Sequence, residues 1–121
     1  MDWHFTADRP IWQQLTELLT LQILKGEYPP GSKLPPVREL ANQAGVNPNT
    51  MQRAMAALEQ NGLAVANRTA GRTVTEDAAV IDRAKAERAR AAVAACLRSL
   101  EDLGYSGQEA TAFVKEELHH E

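Results

Sequence analysis

Along the first sixty residues, apolar positions recur every three or four places, the spacing of one buried helical face. Ile11, Leu15, Leu18, Leu19 and Ile23 mark the first such face. Pro10 stands at its start, where a missing N–H costs nothing, and the helix is expected to run to about Lys25 and stop at Gly26. A second, shorter helix is expected from about Pro36, burying Val37, Leu40 and Ala41. Asn47 is placed to cap a third, with Pro48 at its first position, Met51, Ala54, Met55 and Leu58 inward and Gly62 at its end. The period then shortens. Leu63 and Val65, followed by Thr73-Val74-Thr75, read as two short strands joined by a polar loop from Asn67 to Arg72. Helix, helix, turn, helix and hairpin is the order of a winged helix-turn-helix, in which the third helix lies in a DNA major groove and the hairpin flanks it.

The pattern returns to helix from Ala78 to about Leu103, with Val80, Ile81, Ala84, Val93, Leu97, Leu100 and Leu103 on related faces. Ser106-Gly107-Gln108-Glu109 has the form of a capping box and opens a last helix with Ala110, Phe113, Val114 and Leu118 on one stripe. The expected fold is mainly α with a small β-hairpin: an N-terminal winged helix-turn-helix over residues 1–75 and a two-helix C-terminal dimerisation tail over residues 76–121. A leucine stripe this long cannot be buried against so small a head. A symmetric partner is therefore expected, contacted through Val93, Leu97, Leu100, Leu103, Phe113, Val114 and Leu118.

Length and composition narrow the classes. A chain of 121 residues holds one compact core and an appended element, and excludes a barrel of eight strand-helix units. Its single cysteine excludes an internal disulfide and a thiolate metal cluster, which points to a reducing compartment. No apolar run reaches the ~20 residues of a membrane span, and Met1-Asp2-Trp3-His4 lacks the charged and apolar regions of a secretory signal. A soluble cytoplasmic protein is expected.

Taken as a total, the net charge of -3 opposes nucleic acid, but it is unevenly distributed. Residues 1–74 carry seven Lys or Arg against six acids, whereas residues 75–121 carry six against ten. Between Lys33 and Arg72 there are five basic groups and two acidic ones, enough for a modest positive face. Pro29-Pro30-Gly31 and Pro35-Pro36 bracket a short, rigid connection ahead of it.

Several linked motifs then occur in order: Pro10-Ile11-Trp12-Gln13-Gln14-Leu15, Gly26-Glu27-Tyr28-Pro29-Pro30-Gly31-Ser32-Lys33-Leu34-Pro35, Val37-Arg38-Glu39-Leu40-Ala41, and Gly45-Val46-Asn47-Pro48-Asn49-Thr50-Met51-Gln52-Arg53-Ala54. Over about residues 8 to 75 the chain resembles the DNA-binding domain of GntR-family bacterial transcription regulators. The Asn-Pro-Asn-Thr helix start and the short helical tail resemble the YtrA subfamily. That resemblance implies a dimerising tail without a large effector-binding domain, and control of a neighbouring transporter operon. Two positions depart from the family pattern. Pro36 stands where Ser or Ala is frequent, and Arg68-Thr69-Ala70-Gly71 replaces a tip such as Arg-Gly-Lys-Gly. Docking of the third helix thus rests on more of the pattern than entry of the wing into the minor groove.

DNA affinity needs cations at phosphates, and sequence reading needs directed donors and acceptors at base edges. Arg38 is similar to the family arginine that touches backbone or guanine; otherwise it is a solvated charge near Glu39. Asn47, Asn49, Thr50, Gln52 and Arg53 occupy the start of the third helix, where amides suit adenine and arginine suits guanine or phosphate. Asn47 can equally serve only as a cap, and Arg53 can pair with Glu39 or an acid of the tail. Arg68, Thr69, Gly71 and Arg72 form the wing tip, where the two arginines either reach DNA or are ordinary hairpin charges.

Trp3, Phe5 and Trp12 are expected to pack the N-terminal segment onto the first helix, and Cys96 to be a small core residue. His4, His119 and His120 lack a third ordered ligand, so no metal or cofactor is expected. No Ser, His and acid trio or paired carboxylates appear at catalytic spacing, which makes an enzyme the least favoured class. The leading expectation is a sequence-specific DNA-binding transcription regulator, a repressor, acting as a homodimer on an inverted-repeat operator. The alternative is a winged-helix protein-interaction adaptor, which the Asn and Thr at the start of the third helix argue against. The tail shows no evident pocket, so an unknown small-molecule effector would bind between the domains or at the dimer interface.

Overall fold

The computed structural model describes residues 2–119. Its elements are α1 (Ile11–Leu24), α2 (Val37–Ala44), α3 (Pro48–Gln60), β1 (Ala64–Asn67), β2 (Gly71–Val74), α4 (Ala78–Asp102) and α5 (Gly107–Leu118). This is a mainly helical chain: a winged helix-turn-helix followed by two further helices. The residues group into two compact units, one ending at Arg83 and the other starting at Ala84, so the division between them lies inside α4.

In the first unit, Leu15, Leu19 and Ile23 of α1, Leu40 and Ala41 of α2, and Met51, Ala54, Met55 and Leu58 of α3 are buried together with Leu63, Ala64 and Val74. Removing this much apolar surface from water, at roughly 25 cal/mol per Å², is what holds the three helices and the hairpin together. α3 is the hub, because it packs against α1, α2 and β1. Two buried hydroxyls on α1 turn back to their own helix: Thr16 donates to the Trp12 carbonyl (2.7 Å) and Thr20 to that of Thr16 (2.7 Å). The N-terminal segment is tied down by a polar side chain that its apolar pattern gave no reason to notice. Gln14 accepts from the Thr6 N–H at 2.8 Å and donates to the carbonyls of Thr6 and Arg9, each at 2.9 Å. Trp3 and Phe5, half-buried, belong to that segment.

The hairpin is tighter than the expected six-residue loop. Ala64 pairs with Val74 and Asn67 with Gly71, leaving only Arg68, Thr69 and Ala70 outside the ladder. The Asn67 side chain closes this turn by accepting from the N–H of Thr69 (3.1 Å) and of Ala70 (3.4 Å). Gly71, at φ 73°, supplies the left-handed residue that such a loop requires.

A second difference lies on the outer edge of β2. The proline-bracketed connection is in fact paired there: Gly31 donates to the Val74 carbonyl, Val74 to Ser32 and Leu34 to Arg72, all at 2.9 Å. Ahead of it, Ser32 N–H bonds to the Pro29 carbonyl at 3.0 Å, and Gly31 has φ 79°. These features fit a type II turn, which favours proline where Pro30 stands and demands a positive φ at the next residue. A Cβ on Gly31 would also lie 2.8 Å from Oε1 of Glu76. Gly31→Ala should therefore lower the free energy of unfolding by about 1–2 kcal/mol, with an unchanged denaturant slope. An unaltered urea midpoint would refute the strain argument.

α4 opens on Asp77, whose carboxylate accepts from the Ala79 N–H at 3.0 Å. None of its 25 residues is buried. α5 begins with the expected capping box: Glu109 N–H donates to the Ser106 hydroxyl (3.1 Å), and Ser106 N–H donates back to Glu109 (3.0 Å). The Ser106 backbone N–H foremost, and then the Ser106 hydroxyl, hold the Glu109 carboxyl below its ordinary pKa. In the second unit Ala110 is fully buried, and the Tyr105 and Phe113 rings meet with centroids 5.6 Å apart. Cys96 corrects the sequence reading, since it is exposed and not a core residue. The reason is geometric: its side of α4 lines an open apolar groove of about 300 Å³ with Val93, Leu97, Thr111, Val114 and Lys115.

Candidate nucleic-acid interface

α3 divides into two faces with a 3.6-residue period. Met51, Ala54, Met55 and Leu58 point into the core, while Asn49, Gln52, Arg53 and Ala56 are exposed on the opposite side. The helix starts on Asn47, whose side chain accepts from the Asn49 N–H at 2.8 Å, with Pro48 at its first position. Asn47 therefore acts as a cap, and its side-chain oxygen is occupied in that role. Thr50 is half-buried at the same end. The N-terminal turns thus present two amides and a guanidinium to solvent, beside backbone N–H groups at the positive end of the helix dipole.

Arg38 is exposed as the second residue of α2, and Arg68 is exposed at the hairpin tip. Neither has an ion-pair partner among the described residues. Both are positioned as cations able to meet phosphate. Arg72 is differently placed. It is half-buried, and its Nε donates to the Glu59 carboxylate in the last turn of α3. That ion pair ties β2 to α3, so of the two readings of Arg72 the structure displays the intramolecular one. Thr69 is likewise engaged locally, its hydroxyl 3.2 Å from the Asn67 side chain.

Among the described residues, Arg53 pairs with neither Glu39 nor any other carboxylate. Its guanidinium carbon lies 4.3 Å from the centroid of the Trp12 ring. The sequence pattern could not foresee this, because a helical period assigns faces within one helix and not which side chains of two helices meet. The interleaving of an aromatic on α1 with an arginine on α3 becomes visible only when the two helices cross.

Elsewhere in this unit, a concavity of about 380 Å³ lies between the start of α2, the far half of α3 and the hairpin, bordered by Lys33, Val37, Met55, Glu59 and Arg72. Among the described residues, no three His, Cys, Asp or Glu side chains come together as a metal site, and no helix is long and apolar enough to cross a membrane. His120 lies outside the described residues.

An exposed polar face on a capped helix, seated on two other helices beside a hairpin, is the arrangement shared by many DNA-binding heads. The profile of bacterial regulatory proteins of the gntR family matches residues 12–74, which cover α1 through β2. This chain belongs to the GntR family. It is a DNA-binding transcription regulator of that family and not an enzyme. The likeness extends past the head: the chain is 32% identical to the HTH-type transcriptional regulator YhcF of Bacillus subtilis (strain 168) over 95% of each protein. It is 41% identical to the HTH-type transcriptional repressor YtrA of the same organism, over 60% of this chain and 55% of that one. A GntR family transcriptional regulator from Listeria monocytogenes superposes with a TM-score of 0.82 at 33% identity, covering 93% of this chain and 98% of its own. The GntR regulator is thus YtrA-like in size.

Proposed function

We propose that this GntR regulator is a repressor that binds an inverted-repeat operator as a homodimer, reading bases with the outer face of α3. The observation that carries the proposal is the exposed row Asn49, Gln52 and Arg53, opposite a fully buried row on the same helix. Amide side chains can form paired hydrogen bonds with adenine, and arginine with guanine. Arg38 and Arg68 supply cations for the phosphates that set register. The Bacillus subtilis relative YtrA is a transcriptional repressor, which supports the sign of regulation. The family supports bacterial cytoplasm as its place of action.

The second copy is supported by surface left uncovered within one chain. Val93 is 60% exposed, Leu103 76% and Leu118 71%, and no residue of α4 is buried. Half-buried Leu97, Leu100 and Val114 lie on the same two helices, with Phe113 at 39% exposure. Apolar area of this kind is normally covered by a partner. With two heads, half-sites are expected about one helical turn of DNA apart, ~34 Å.

The test is binding of the full chain to a duplex selected from random sequence, measured over a range of salt. Affinity should fall linearly on a log-log scale, with a slope of about -0.9 per phosphate contacted. Gln52→Ala should cost about 1–3 kcal/mol at its cognate base and relax preference there, and Arg53→Ala should weaken binding by a similar amount. A salt-insensitive affinity, or unchanged base preference in both variants, would move the reading surface off α3.

A further inference from the structure

We infer that Trp12, on α1, is a positioning residue for DNA recognition: its indole face orients the guanidinium of Arg53 toward the nucleic acid. The inference rests on the reading of α3 as the DNA-contacting helix. Arg53 lies outside the core row and is exposed, while Trp12 is half-buried in the first turn of α1 and held by its packing. The guanidinium carbon sits 4.3 Å from the ring centroid, well within the range of a cation-π contact.

The kind of contact matters more than its strength. A carboxylate partner would neutralise Arg53 and occupy the N–H edge of its guanidinium, the edge that recognises guanine or phosphate. The Arg72 and Glu59 pair shows that outcome elsewhere in the same unit. Stacking instead uses the flat face, leaving the positive charge and the N–H edge available. Among the described residues no carboxylate pairs with Arg53. A free arginine also loses much rotamer freedom when it binds. An indole that already restricts the side chain lowers that entropic cost, which is preorganisation supplied from a helix that need not touch DNA.

The probe is a duplex selected from random sequence with the unaltered full-length protein. Trp12→Leu should weaken binding by roughly threefold to tenfold, the equivalent of ordering one long side chain at the interface. Trp12→Phe, which keeps an aromatic face, should recover most of it. In the Arg53→Ala background, Trp12→Leu should change nothing further. Across a panel of single-base variants of the duplex, Trp12→Leu should lose discrimination at the same base pairs as Arg53→Ala, a signature that a general folding defect does not produce. Should Trp12→Leu not fold by circular dichroism, Trp12→Met carries the same comparison with an unbranched, adaptable apolar side chain that also lacks a ring.

Equal losses from Trp12→Leu with and without Arg53 would overturn the inference, as would an unaffected Trp12→Leu beside a weakened Arg53→Ala. Wild-type binding by Arg53→Ala is a separate result, and it overturns the reading of Arg53 on which the inference stands.

Discussion

Leu97→Asp is expected to convert the proposed dimer to a monomer and to reduce operator affinity by about 10²- to 10⁴-fold, the avidity lost when two linked heads become independent. Leu97 is half-buried on α4 and lines the apolar groove shared with Val93, Thr111 and Val114 of the same unit. In the proposed dimer, a carboxylate there would be removed from water without a partner, a penalty of several kcal/mol that disappears on dissociation. Leu97→Met preserves volume and apolarity and should remain dimeric. Analytical ultracentrifugation at micromolar concentration separates the two, and circular dichroism should show both still helical. A Leu97→Asp protein that sediments as a dimer and keeps its affinity would place the subunit contact on another surface.

The second large effect concerns the seat of α3. Leu58 is fully buried on the inner face of that helix. Leu58→Ala should destabilise the first unit by about 2–5 kcal/mol, combining lost transfer energy with the cavity left behind. For a head of this size that corresponds to a drop in Tm on the order of 10 °C or more. Ala56→Ser, two positions away on the exposed face, should stay within about 0.5 kcal/mol of wild type. A loss under about 1 kcal/mol for Leu58→Ala would mean that α3 is not held by its buried row. DNA binding then could not depend on that row for rigidity.

The contrast between Leu58 and Ala56 shows why so much of the head was legible in advance. Whether a residue of α3 faces inward or outward follows from a period of 3.6, and Asn47, Pro48 and Gly62 punctuate the helix within one turn of its ends. Caps and stripes are local. The capping box of Ser106 and Glu109 appeared as expected for the same reason. The hairpin was read less well. Its loop length depends on the side chain of Asn67 folding back onto Thr69 and Ala70, and its third edge depends on residues 31–34 returning to β2 from far up the chain. Cys96 was misassigned because periodicity says only that a face is apolar, not what covers it.

What the amino-acid sequence determined by itself was the set of helices, their inner rows, the hairpin and, through linked motifs spread over α1 to α3, membership of the GntR family. Those depend on interactions within a few residues and on burial of the commonest apolar side chains. The tertiary structure alone decided which polar groups meet. Arg53 lies over Trp12 because α1 and α3 cross there, and Arg72 reaches Glu59 because β2 folds against the end of α3. Both arginines looked alike as basic residues of a DNA-binding head. Packing separates them, stacking Arg53 on an indole face with no carboxylate on it among the described residues and turning Arg72 toward a carboxylate of its own chain.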